Sequence, residues 1–412
     1  MSEPSPFSSG GPLQDLLRNL ARLLTSQGPL NWEVARQLAA WTATQGEPEA
    51  NPDPLVRIRL EELLRVADMH VAEATGLPTS RRGWLTLRCV SRSEWASRTL
   101  DQWQPVLLRL ASSLSPAGNA GPAGNVGPAG LGEGPGAGAG NPEGSANPMD
   151  QLLGNLPQVI GPLALGAQAG AMVGHLASRA MGQYDLPMPA PAGDELMAVP
   201  EVTDAFAKEW EIPPDDVRMW VCLRDVAHHA VLCRPHVSKA LEGHLLAYVG
   251  AFHLEASTIE ERLGGIDPTD LASFQESLGD PEALLGEVQN DEQRKLLVPL
   301  QALLAALSGY TDYVVDKVGQ RLVGSYALVT EALRRRRLED GPGQRVLGKL
   351  IGVEIDHSTV ERGRAFVNGV LERAGEEVLA RLWEAPAGLP TPAEVDAPGL
   401  WLARTELGTP GG

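Results

Sequence analysis

Lysine is scarce in this chain, with only Lys208, Lys239, Lys295, Lys317 and Lys349 among 412 residues. Cysteine is scarcer still: Cys89, Cys222 and Cys233, with no CxxC pair. Three thiols so spaced argue against a disulfide framework and against a thiolate zinc site. Positive charge is in deficit, 34 basic against 52 acidic residues, for a net charge of −18. Tracking a phosphate backbone needs the opposite field, so no nucleic-acid partner is expected. The same balance opposes a polybasic hold on anionic lipid.

Other absences narrow the reading further. The opening MSEPSPFSSGG has no basic stretch followed by an apolar core, so no secretory signal is expected there. The most apolar segment, 152–182, is interrupted by Pro157, Gln158, Pro162, Gln168 and His175, short of an uninterrupted spanning run. The expectation is a soluble cytoplasmic protein without stable membrane insertion. No GxxxxGK[ST] loop, no GxGxxG after a strand and no GxSxG elbow occurs.

Helical periodicity is abundant. Leu13, Leu16, Leu17, Leu20, Leu23 and Leu24 form an amphipathic stripe, and Asn31 is placed to cap a helix opening at Trp32. Further helices are predicted over 55–74, 93–114, 215–233, 238–254, 291–322, 325–337 and 360–383, with one strand at 85–90. Gly166, Gly170 and Gly174, four apart, predict a helix that another helix approaches closely. The fold class is mainly α. The high Arg, Ala and Gly content points to a GC-rich bacterial genome.

Residues 115–148 are nearly all Gly, Ala, Pro and Asn, with a glycine every third position from Gly118 to Gly130. Five such repeats are too few for a triple helix, and the composition predicts a flexible linker. The expected organisation is a tail and amphipathic helix over 1–28, a helical domain over 29–404 interrupted by that linker, and a tail over 405–412.

In the 215–233 helix, 3-4 spacing puts Arg224 and His228 on the apolar side, one turn apart. A buried arginine needs a carboxylate partner. On the 291–322 helix Ser308 and Asp312 lie at the margin of the apolar stripe, so Asp312 or the adjacent Asp225 is the expected partner of Arg224. His229, His236, His244 and His253 lack i, i+4 ligand spacing, and Pro235 should break the helix between the first two; they are read as satisfied or surface histidines. His357 falls in an expected turn and carries no assignment. Arg334–Arg337 reads as a solvated helix end that complements the macrodipole.

Several stretches, in order and spacing, carry a resemblance: NWEVARQLA (31–39), GHLASRAMGQYDLPMP (174–189), VRMWVCLRDVAHHAVLCRPHV (217–237), ALSGYTDYVVDKVG (306–319), GKLIGVEIDHSTVERGRAFV (348–367) and LPTPAEVDAPGLWLAR (389–404). Together they resemble the zincin-like metallopeptidase type 2 family, found mainly in actinobacteria. That resemblance implies a multi-helical zincin-like fold. Zinc-binding zincins carry HExxH, two histidine ligands one turn apart with the Glu as general base. Here the matching stretch reads Arg224-Asp225-Val226-Ala227-His228, and His228 is the only surviving ligand-type residue. Ser308 stands at the third-ligand position, and Asp312 at the spacing of an acid that orients the first histidine. The resemblance therefore implies a degenerate site with no metal and no catalytic residue, whose cleft residues Arg224, His228, Ser308 and Asp312 serve an unknown protein or peptide partner. The alternative is an active zinc hydrolase using non-standard ligands.

Overall fold

A computed structural model of the chain describes residues 28–114, 148–189, 193–252, 290–338, 348, 351–353 and 356–407. The expected amphipathic helix at 13–24 and the Gly/Pro segment lie outside them.

Local chemistry sets the helix ends. Helix α1 (Trp32–Thr44) begins where Asn31 Oδ1 accepts the Val34 N–H at 3.1 Å. Helix α2 (Pro54–Thr75) is capped by Asp53 and stops at Gly76, whose φ of 66° is a left-handed conformation suited to glycine. Strand β1 (Thr86–Cys89) follows, as expected. The single helix predicted over 93–114 is two, α3 (Arg92–Gln102) and α4 (Gln104–Leu114). Pro105 has no N–H to donate back to Asp101, which explains the interruption at Trp103.

Helix α5 (Pro148–Ala177) packs along α1. A methyl group on Gly166, Gly170 or Gly174 would lie 2.4, 2.3 or 2.5 Å from the carbonyl oxygens of Asn31, Ala35 and Ala39. The glycine spacing thus marks a backbone-to-backbone seam, with Ala35, Ala39 and Ala43 buried on the α1 side. Strand β2 (Glu195–Ala198) was not foreseen. Its four residues pair in parallel with β1, Thr86 opposite Glu195 and Cys89 opposite Ala198.

Helices α6 (Pro200–Glu209), α7 (Pro214–Leu232) and α8 (Pro235–Gly250) follow. Each opens on a proline, whose missing N–H costs nothing in a first turn. Helix α7 is buried on almost every side from Met219 onward, with α2, α6, α8, α9 and α10 against it. Helix α9 (Asp291–Leu322) carries a capping box, Asn290 with Gln293. Helix α10 (Tyr326–Leu338) follows.

Helix α11 (His357–Ala374) crosses α9 where Ala305 and Gly309 meet Gly363; a methyl on Gly309 would lie 2.3 Å from Gly363 C. His357 opens this helix behind the cap Asp356, so the expected turn there is a helix start. The helix predicted to run to Trp383 ends at Gly375, φ 78°, and α12 (Glu376–Ala380) follows. Helices α13 (Pro392–Asp396) and α14 (Pro398–Leu407) follow, with Trp401 buried.

All three cysteines are unpaired. Among the described residues no helix is long and apolar enough to cross a membrane.

Candidate functional site

Helix α7 exposes almost nothing, yet it carries Arg224, Asp225, His228 and His229 in its buried half. Each is neutralised or satisfied by a neighbour, as buried polar groups must be. Much of that partnership comes from residues 181–185, the turn that leaves α5. Met181 O accepts the Val199 N–H at 2.9 Å, and Gly182 bridges Ala198, so the turn runs beside β2.

Arg224 makes two ion pairs. Its Nη1 donates to Asp185 Oδ1 at 2.8 Å and its Nη2 to Asp225 Oδ1 at 3.0 Å, while the guanidinium carbon stands 5.2 Å from the Trp220 ring centroid. Of the two partners expected from sequence, Asp225 is correct and Asp312 is not. Asp312 instead approaches Arg364 of α11, at 4.0 Å. Asp185 takes its place because the 181–185 turn passes over the α7 surface where Arg224 emerges.

Asp225 also braces that turn. Its Oδ2 accepts the Gln183 N–H at 2.6 Å, and its Oδ1 lies 3.4 Å from the Tyr184 N. A methyl on Gly182 would sit 2.1 Å from Asp225 Oδ2, so glycine is required where the carboxylate fits. Asp185 folds back to accept the N–H groups of Met181 and Gly182, at 2.5 and 2.9 Å.

The two acids titrate differently. Burial pushes the Asp225 carboxyl up to about 6, because Arg224 and the Gln183 N–H only partly offset it and Asp185 adds like charge. For Asp185 burial also acts upward, but Arg224 and the Gly182 N–H outweigh it, and its carboxyl stays below the usual range. Arg224 is raised, its two carboxylates overcoming burial.

His228 and His229 face different partners. His228 Nδ1 meets Arg224 O at 2.9 Å; a carbonyl only accepts, so Nδ1 carries the proton. The Tyr184 ring stacks on His228 at 5.7 Å and 13°. His229, with no exposed surface, is held by Tyr184 Oη on Nδ1 at 2.8 Å and by Asp194 Oδ1 on Nε2 at 3.3 Å. Asp194 accepts the N–H groups of Arg81 and Arg82 at 2.9 Å each. Burial lowers the His229 imidazole, the Asp194 contact only partly opposing it.

Ser308 is buried on α9, and among the described residues its hydroxyl makes no hydrogen bond to Arg224 or His228. The structure therefore gathers Arg224, Asp225 and His228, and leaves Ser308 and Asp312 outside the Arg224 ion-pair cluster. Tyr184, Asp185 and Asp194 escaped the sequence reading, although the polar run Gly182-Gln183-Tyr184-Asp185 between apolar segments was a signal. Among the described residues no three His, Cys, Asp or Glu side chains converge as a metal-ligand set. His253 lies outside those residues.

A family model described as zincin-like metallopeptidase matches residues 30–402, nearly the whole chain. The chain belongs to this family. No curated protein matches it. Among solved structures it is similar to a candidate hydrolase with a novel fold from Chloroflexus aurantiacus: 20% identity, TM-score 0.58, covering 92% of this chain and 99% of that one. At that identity the likeness establishes the fold alone. The stretch Arg224-Asp225-Val226-Ala227-His228 lies within α7.

Proposed function

We propose that this zincin-like protein is a catalytically silent member of its family that acts as a binding or scaffold module for a protein or peptide. One observation carries the reading: the residue at the first-ligand position is a cation already held by two carboxylates, Asp185 at 2.8 Å and Asp225 at 3.0 Å. A guanidinium there brings positive charge to the place where a dication would sit, so the donor set does not fit zinc. Asp225, at the general-base position, is buried and already bonded to Arg224 and Gln183. Ser308 at the third-ligand position supplies no anionic donor.

The second reading, a working zinc-dependent hydrolase with non-standard ligands, draws on His228 as the surviving ligand-type residue and on the description of the Chloroflexus protein. Three unpaired thiols are in keeping with a reducing cytoplasm. Residues 29–404 are taken as one helical domain.

Elemental analysis of protein purified without chelator and equilibrated with zinc tests the proposal. The expected content is well below one zinc per chain, unchanged in His228→Ala. Near-stoichiometric zinc that His228→Ala removes would establish the hydrolase reading instead.

A further inference from the structure

The two-stranded sheet has one edge covered and one open among the described residues. On the β2 side the Val199 N–H donates to Met181 O at 2.9 Å and Gly182 bridges Ala198, so the 181–185 turn occupies that edge. Strand β1 lies on the other side of β2. Its Thr86 N–H donates to Asp194 O, and the N–H of Val90, just past its end, donates to Ala198 O, both at 2.9 Å. In a parallel ladder the backbone groups of successive residues point to opposite edges. Thr86, Arg88 and Val90 therefore face β2, while Leu87 and Cys89 turn their N–H and C=O groups away from it. Among the described residues nothing pairs with those outward groups.

An open edge is a template for one more strand, and proteins commonly block it with proline, lysine or a bulge. Thr86-Leu87-Arg88-Cys89 contains neither proline nor lysine. Its register runs without a bulge from Thr86 opposite Glu195 to Cys89 opposite Ala198. The strand is four residues long, so it can hold only a short stretch of backbone.

The surroundings select the occupant. Free backbone donors and acceptors in a row are best met by another backbone, that is, by an extended peptide. Trp84, two residues before the strand, is 64% exposed and offers an aromatic surface. Residues 76–93 carry Arg81, Arg82, Arg88 and Arg92 but no Asp or Glu, in a chain whose net charge is −18. Arg88 is paired with Glu195 at 2.9 Å and Arg92 with Glu201 at 3.0 Å. Arg82 is exposed and gives its backbone N–H to Asp194; among the described residues its guanidinium meets no carboxylate. That cation favours an acidic partner. A second copy of the chain would set the same arginine-bearing segment against itself, and like charges across a strand pair are destabilising. Antiparallel pairing, the more stable arrangement per residue, places the C-terminal end of the peptide beside Arg82.

We propose that the open edge of β1 is a docking strand for an extended acidic peptide of a partner protein. The peptide pairs antiparallel with Leu87 and Cys89, lays an apolar residue on Trp84 and brings a carboxylate to Arg82. This edge lies across the sheet from the 181–185 turn and is separate from Arg224 and His228, so the assignment stands whether or not the protein binds zinc.

Titration calorimetry and amide hydrogen exchange of the full chain with acetyl-Thr-Val-Thr-Val-Leu-Asp-Glu-amide test it. The peptide should bind and slow exchange at Leu87 and Cys89. The same peptide N-methylated along its first four residues should bind roughly tenfold or more weakly, because it cannot donate to the edge. A version ending in Lys-Lys should bind several-fold more weakly. Arg82→Glu should reverse that preference, and tighter binding of the lysine peptide is a gain that misfolding cannot mimic. No binding at millimolar peptide, equal affinity of the N-methylated peptide, slowed exchange confined to residues other than Leu87 and Cys89, or an unchanged preference in Arg82→Glu would each overturn the assignment. Slowed exchange at Leu87 and Cys89 that grows with protein concentration in the absence of peptide would overturn it in favour of a second copy.

Discussion

Arg224 and Asp185 are 39 positions apart in the chain and 2.8 Å apart in space. The contact ties α7 to the turn that leaves α5, and through Gly182 to the edge of β2. The arginine thus acts as a structural cross-link between two segments distant in sequence.

Arg224→Met should be strongly destabilising. It removes the cation that pairs with both Asp185 and Asp225, leaving buried carboxylates facing each other. Losing one partner of such a network costs about 3–5 kcal/mol. Urea unfolding of the variant reads this directly, and a loss below about 1 kcal/mol would show that the cross-link is not stabilising.

The Asp225 carboxyl, pushed up to about 6 from an ordinary 3.8, gives a pH signature. A carboxyl with a raised folded value binds its proton more tightly in the native state than in the unfolded one. Its contribution is therefore fully present below 3.8 and disappears as pH rises through about 6. Relative to Asp225→Asn, the wild type should gain stability as pH falls across that window. Unfolding free energies measured at several pH values check the slope; parallel curves would contradict it.

Tyr184→Phe removes the hydroxyl bonded to His229 Nδ1 at 2.8 Å. His229 has no access to water, so its nitrogen is left without a partner at a cost of about 1–3 kcal/mol. Tyr313→Phe makes a fair control, because that hydroxyl meets Glu376 at an exposed position. Equal losses in the two variants, by chemical denaturation, would argue against a buried Tyr184–His229–Asp194 chain.

Gly170→Ala should lower the melting temperature, since its methyl would lie 2.3 Å from Ala35 O and two helices would have to separate. Overpacking of this kind costs about 1–3 kcal/mol. Gly399→Ala, which meets nothing within 4 Å, should not cost stability through packing. Calorimetric scans of both variants compare the two sites.

Helices with a clear one-sided stripe were legible in the sequence, and so were their caps: Asn31, Asp291 as a first residue, and Pro235 at a boundary. The α1–α5 seam was legible too, because only glycine at every fourth position allows that approach. Two helices were drawn too long, since Pro105 and Gly375 interrupt the backbone without disturbing the apolar periodicity. Strand β2 escaped because Leu196, Met197 and Ala198 are all buried, so its side chains show no alternation. Arg224 announced a carboxylate, and Asp225 was found beside it. Asp185 was not, because no periodicity links a helix to a turn of a different segment. Within Arg334–Arg337, Arg334 and Arg335 turn outward to Glu331, whereas Arg336 turns inward, an orientation that depends on the walls around it, chiefly Phe206 and Arg179.

The parallel pairing of Thr86 with Glu195, joined by Asp194 to Arg81 and Arg82, has a kinetic consequence. More than a hundred residues must be closed into a loop before those contacts form, and the entropy of closure is lost before any bond compensates it. The Tyr184–His229–Asp194 chain depends on that closure and so completes late in folding. Its formation would report when a nascent or refolding molecule has brought its two halves together.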